Sequence, residues 1–138
     1  MKDTVLHYAG GDTQLHDAVK KGDLKLTRYL IEHGVDINYP DTEGNTALHI
    51  AAIYGRTRII KWLMEHGANP DIKRNNKDTA LHLAVFYDQT ASVKLLIKYG
   101  ADINALGQDG ETPLGTARSF SYNNNNNIID YLIEHGAQ

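Results

Sequence analysis

Apolar residues recur along this chain on the helical period, and whole blocks of them then recur on a longer one. Ile59, Ile60, Leu63 and Met64 fall on one stripe of a helix, as do Leu26, Leu30 and Ile31 before them and Val93, Leu96 and Ile97 after them. A shorter apolar face precedes each stripe. In the best-formed case Leu48, Ala51 and Ala52 share that face, Thr46 is placed to cap the helix start, and Gly55 is placed to stop it. Each block therefore predicts a short helix, a tight turn, a second helix ending at Gly34, Gly67 or Gly100, and an extended polar link. Ala18, Ala51, Ala84 and Ala117 recur on the first helix, where a larger side chain would hold a neighbouring helix away. No block can bury its stripe alone, so stability is expected from interfaces between neighbours.

The long period is 33 residues, and it carries a motif. Thr46-Ala47-Leu48-His49-Ile50-Ala51 is matched by Thr13-Gln14-Leu15-His16-Asp17-Ala18, Thr79-Ala80-Leu81-His82-Leu83-Ala84 and Thr112-Pro113-Leu114-Gly115-Thr116-Ala117. This T-x-L-H-x-A pattern at this interval resembles the ankyrin repeat, from about Gly11 to the end of the chain. The resemblance implies an all-α solenoid of four helix-turn-helix repeats with short β-hairpin-like fingers. The expected units are a cap over 1–11 and repeats over 12–40, 41–73, 74–106 and 107–138. The links Asp41-Thr42-Glu43-Gly44, Arg74-Asn75-Asn76-Lys77 and Gly107-Gln108-Asp109-Gly110 read as turns, and by resemblance they are the fingers. Gly44 and Gly110 suit a left-handed backbone position; Lys77 takes their place in the third repeat, where either the same conformation carries a small strain or Asn76 beside it shifts the turn.

Two stretches depart from the period. Thr4-Val5-Leu6-His7-Tyr8-Ala9 also spells the motif, but only nine residues before Thr13, too close to enclose a helix pair; it reads as coincidence within an irregular or short helical cap. Gly136 lies 36 residues after Gly100, so three residues are added, and they fall in 121–127 because Ile128 to Ile133 realign with Ile59 to Met64. The asparagine run there predicts a lengthened surface loop that also caps the last helix, and it reads as low-complexity drift rather than a contact surface.

Composition narrows the function classes. The 138 residues suit one modest domain, and 14 basic against 17 acidic residues, a formal charge of −3, leave no nucleic-acid footprint. The absence of cysteine removes disulfides, thiolate metal sites and Cys nucleophiles. No run is long enough to span a membrane and no signal peptide is apparent, so the expectation is a cytoplasmic or otherwise intracellular protein. No H-E-x-x-H, G-x-S-x-G, P-loop or dinucleotide fingerprint occurs, so neither an enzyme nor a cofactor is expected.

Seven histidines raise the question of metal. His16, His49 and His82 hold one position in successive repeats, and stacked helices stand about 8–10 Å apart, whereas a zinc ligand nitrogen sits about 2.0–2.1 Å from its ion. One ion cannot gather all three, so no metal site is expected. The resemblance implies that these imidazoles bridge backbone groups of adjacent turns or repeats, and Gly115 replaces the fourth where no repeat follows to be braced. His33, His66 and His135 instead end the second helices, beside Glu32, Glu65 and Glu134, where a donor serves the last carbonyls and the helix dipole.

The variable positions carry the functional reading. Two residues follow each inner-helix alanine at the same offset: Lys20 and Lys21, Ile53 and Tyr54, Phe86 and Tyr87, Ser119 and Phe120. By resemblance they face a concave groove. Tyr54, Tyr87 and Phe120 then form an aromatic stripe at about 10 Å per step, either shielding the edge of the stack or serving as binding anchors. Thr42, Glu43 and Asn45, then Asn75, Asn76 and Asp78, then Asp109 and Glu111 supply a polar, mildly acidic rim, with Lys20 and Lys21 setting a charge gradient. The expected function is non-catalytic recognition of a protein partner as adaptor, scaffold or inhibitor, with the chain a monomer. The rival is a structural segment that associates end to end, suggested by Ile128, Ile129, Leu132 and Ile133 on the last helix. A narrower analogy is a microbial effector delivered into a host cell, where the asparagine run fits an AT-rich genome.

Overall fold

Four threonines start the inner helices. In the computed structural model, which describes residues 13–120 and 126–138, the hydroxyls of Thr13, Thr46, Thr79 and Thr112 each accept the backbone N–H three residues on. They open α1 (Gln14–Lys21), α3 (Ala47–Tyr54), α5 (Ala80–Phe86) and α7 (Pro113–Ser119). A short turn folds each back into an outer helix: α2 (Leu24–Glu32), α4 (Thr57–Glu65), α6 (Thr90–Lys98) and α8 (Asn126–Glu134). The expected cap over 1–11 and residues 121–125 of the expected insertion lie outside the described residues.

The core sits between the rows. Leu15, Leu48, Leu81 and Leu114 of the inner helices, and Leu30, Leu63, Leu96 and Leu132 of the outer ones, are all buried. Burial of one such leucine contributes roughly 2 kcal/mol of transfer free energy. Ala18, Ala51, Ala84 and Ala117 of the inner helices are all buried, and the inner row packs more closely than the outer row. Small side chains on these faces let the inner helices approach closely.

The structure adds detail that the apolar pattern misses. Thr27 is fully buried at the place held by Ile60 and Val93; its hydroxyl is spared an orphan's cost by donating to the Asp23 carbonyl at 2.8 Å. Ile133, aligned with Met64, is 48% exposed. Asn126 and Asn127 are not loop but the first residues of α8, because a nine-residue helix in register with α6 is what brings Ile128 and Leu132 into the core.

The links are turns rather than β-hairpins. The Asp41 N–H donates to the Asn45 carbonyl, Arg74 to Asp78 and Gly107 to Glu111, at 2.9, 2.9 and 2.8 Å. One closing pair leaves no room for a ladder, and no strand forms among the described residues. Gly44, Lys77 and Gly110 share the left-handed conformation at φ 82, 80 and 72°, so the third turn keeps its shape with a side chain in place of glycine.

Candidate functional site

The seam that joins one repeat to the next is built on the motif histidines. In α3, His49 Nδ1 accepts the Thr46 N–H at 3.0 Å and lies 2.9 Å from the Thr46 hydroxyl, while Nε2–H donates to the Asp78 carbonyl at 3.2 Å. His82 repeats this with Thr79 and the Glu111 carbonyl at 2.8 Å, and His16 donates to the carbonyls of Asn45 at 2.8 Å and Tyr39 at 3.0 Å. Each imidazole thus joins its own helix cap to the backbone just before the next repeat's threonine. The geometry requires the Nε2–H tautomer, with Nδ1 free to accept. Burial pushes the His49 pKa down to about 4, the Asp78 carbonyl opposes that shift, and the charge of Arg74 adds to it.

Further bonds stitch one repeat to the next. Arg56 donates through Nε and Nη2 to the Lys20 carbonyl at 3.0 and 2.7 Å, and Gln89 serves the Ile53 carbonyl at 3.0 Å; both finish the preceding inner helix. Along the links, the Asn38, Asp71 and Asn104 side chains accept the N–H groups of Asn69, Asp102 and Gln138.

On this frame the variable residues stand in a row. Tyr54, Tyr87 and Phe120 are 41, 48 and 42% exposed rather than sealed in the stack; Tyr54 and Tyr87 border one recess, and Tyr87 and Phe120 another. Lys20 Nζ stands 5.6 Å from the Tyr54 ring centroid, and Phe86 stands 4.8 Å from the Phe120 ring, so an inner-helix end meets the aromatic ring of the next repeat twice in the same register. Two recesses lie along the row. One of about 300 Å³ is bounded by Asp17, Lys20, Ile53, Tyr54 and Glu43; another of about 390 Å³ is bounded by Phe86, Tyr87, Phe120, Asp78, Asp109 and Glu111. Arg74 and Tyr87 border both.

The expected rim residues differ in where they lie and how they are held. Glu43, Asn45, Ile53, Tyr54, Asn76, Asp78, Phe86, Tyr87, Asp109, Glu111 and Phe120 border a recess. Thr42, Glu43, Asn75, Asn76 and Asp78 are wired to neighbouring links rather than standing as independent tips. Asn75 donates through its N–H to the Glu43 carbonyl and through Nδ2 to the Thr42 carbonyl, both at 2.9 Å. The Glu43 carboxylate pairs with Arg74 at 3.0 Å, and Asp78 accepts the Gln108 N–H at 3.0 Å and Asn76 Nδ2 at 3.2 Å. Asn45 borders the first recess but is only 4% exposed, and its Nδ2 donates to the Asp41 carboxylate at 3.3 Å, bracing the first link. Lys21 pairs with Asp17 at 3.0 Å, and Lys20 is the lysine that reaches the aromatic row.

Lys20 was read as a groove residue, whereas Arg74, Gln108 and Gly107 were read only as parts of the links and not as residues bordering or shaping a recess. A Cβ at Gly107 would come within 2.4 Å of the Asp78 carboxylate and 2.8 Å of His82 Nε2, which explains a glycine where the other links have Asp41 and Arg74. The exposed C-terminal histidines were read correctly as donors to the last turn: Nδ1–H of His33, His66 and His135 serves the carbonyls of Tyr29, Trp62 and Tyr131 at 2.7, 2.7 and 2.8 Å. Their stacking on those same aromatic rings, with centroids 3.9–4.0 Å apart, is an added contact. Among the described residues, no group of three or more His, Asp or Glu side chains converges as a metal ion needs, and no helix is long and apolar enough to cross a membrane.

A family model of ankyrin repeats in many copies matches residues 15–64, and a second, of ankyrin repeats in three copies, matches residues 67–138. No curated protein matches the chain.

Proposed function

Because the chain belongs to the ankyrin repeat family, whose repeats generally mediate protein–protein interaction, we propose that it grips one protein partner along the row from Lys20 and Tyr54 to Phe120. The single observation that carries this reading is the exposure of Tyr54, Tyr87 and Phe120 in one register beside two recesses. Aromatic anchors dominate interface energies, and rings left 41–48% exposed on a wired, preformed rim lose little entropy when a partner covers them. Thr42, Glu43, Asn75 and Asn76 supply the polar edge of that contact. The role is that of an adaptor, scaffold or inhibitor, without catalysis by this chain.

The test is a pull-down with wild type against the Tyr54→Ala/Tyr87→Ala variant. Wild type retains a partner; the variant loses most of it, about 2 kcal/mol or more of affinity, with its melting temperature unchanged. Equal retention by both proteins refutes the groove.

Ile133 of α8, at 48% exposure, favours a second reading, in which the last repeat associates with another copy of the chain. Light scattering over a concentration series decides: growth in mass supports association, and a constant monomer mass rejects it.

A further inference from the structure

The two recesses differ in what covers their rings. At the first, the chain supplies its own cation, since Lys20 Nζ stands 5.6 Å from the Tyr54 centroid. One repeat on, the residue equivalent to Lys20 is Ile53, and one further it is Phe86. Among the described residues, no cationic group stands over Phe86 or Tyr87. These two rings meet at 5.0 Å and 72°, and Phe86 meets Phe120 at 4.8 Å and 58°, so the recess presents both edges and faces.

The charges of this recess are also unbalanced. Arg74 on its near side is offset by Glu43 at 3.0 Å, and the Asp78 carboxylate is occupied by the Gln108 N–H and Asn76. The carboxylates of Asp109 and Glu111 border the same recess and make no hydrogen bond or ion pair with a described residue. Rings whose faces are negative, beside two uncompensated carboxylates, define a place for positive charge.

We propose that the recess between α5 and α7 receives a cationic side chain, an arginine or lysine, from an extended segment of the protein partner. Its charged head rests against Phe86 and Tyr87, and Asp109 and Glu111 accept its hydrogen bonds. The first recess shows the same pairing made within the chain. This inference rests on the groove reading and names what one part of the groove selects.

The test uses peptides selected from a random displayed library on the wild-type chain. Clones whose binding falls on Tyr87→Ala are groove-bound. They are expected to share an arginine or lysine, and its replacement by citrulline or norleucine weakens binding about tenfold or more. The Asp109→Asn/Glu111→Gln variant, with an unchanged melting temperature, is expected to lose a similar factor for the parent peptide and little for the citrulline peptide. Groove-bound peptides with no basic residue, and indifferent to Asp109→Asn/Glu111→Gln, overturn the cation inference while leaving the groove intact. Peptides indifferent to Tyr87→Ala overturn both.

Discussion

Two sets of three histidines punctuate this chain, and they have opposite surroundings. His16, His49 and His82 are 3, 1 and 1% exposed and tie one repeat to the next. His33, His66 and His135 stand in solvent, each bonded to a carbonyl of its own helix. Both sets donate to backbone oxygens, so the bond type does not separate them. Burial and reach do: losing an interior imidazole strands a buried carbonyl and a helix cap across an interface, while losing an exterior one hands a carbonyl to water.

The sharpest break of this comparison is His49→Ala. It removes the acceptor for Thr46 N–H and the donor to Asp78 at once, and is expected to destabilise by about 3 kcal/mol or more in chemical denaturation. A cost below that of an exposed histidine would show that the seam is held by packing alone.

Next in size is the effect of acid. The folded pKa of His49, about 4, lies below its unfolded value of 6.5, so between these limits the unfolded chain binds more protons. The His49 contribution is fully present above pH 6.5, falls as pH drops toward 4, and amounts to about 2 kcal/mol between pH 7 and pH 5. Denaturation of wild type and His49→Gln at both pH values isolates it: the wild type loses stability relative to the variant on acidification. A parallel response of the two proteins counts against a neutral imidazole in the seam.

The smallest effect is expected at His66→Ala. The helix-end bond and the stack on Trp62 are exposed, so the cost is about 0.5–1 kcal/mol. Thermal melts of His49→Ala and His66→Ala side by side sharpen the contrast, which disappears if their midpoints coincide.

Much of the frame was legible in the residues. The T-x-L-H-x-A spacing locates the inner helices, and the inter-repeat role of the imidazoles follows from what the resemblance implies; of the two options open at Lys77, a shared conformation or a turn shifted by Asn76, the structure has the shared one. The rim was less legible. Asn45 reads as a surface polar residue but is buried, Thr27 breaks an apolar stripe without breaking the core, and Asn126 and Asn127 look like loop but begin α8. Asn45 is held by a contact remote in sequence, from His16, and α8 by a register set by the neighbouring repeat, whereas Thr27 is accommodated by a bond within its own helix turn.

By itself the amino-acid order determined the number of rungs, their helices and the residues sealed between them, because burial on a 33-residue period leaves a pattern that any window of the chain repeats. Only the tertiary structure decided which variable side chains meet: Lys20 on Tyr54, Phe86 on Phe120, Arg74 with Glu43, and Asp109 and Glu111 left open beside the rings. The chain-built contacts among these join residues 31–34 positions apart, and their geometry depends on how closely alanine lets one helix approach the next, a distance that no local spacing encodes.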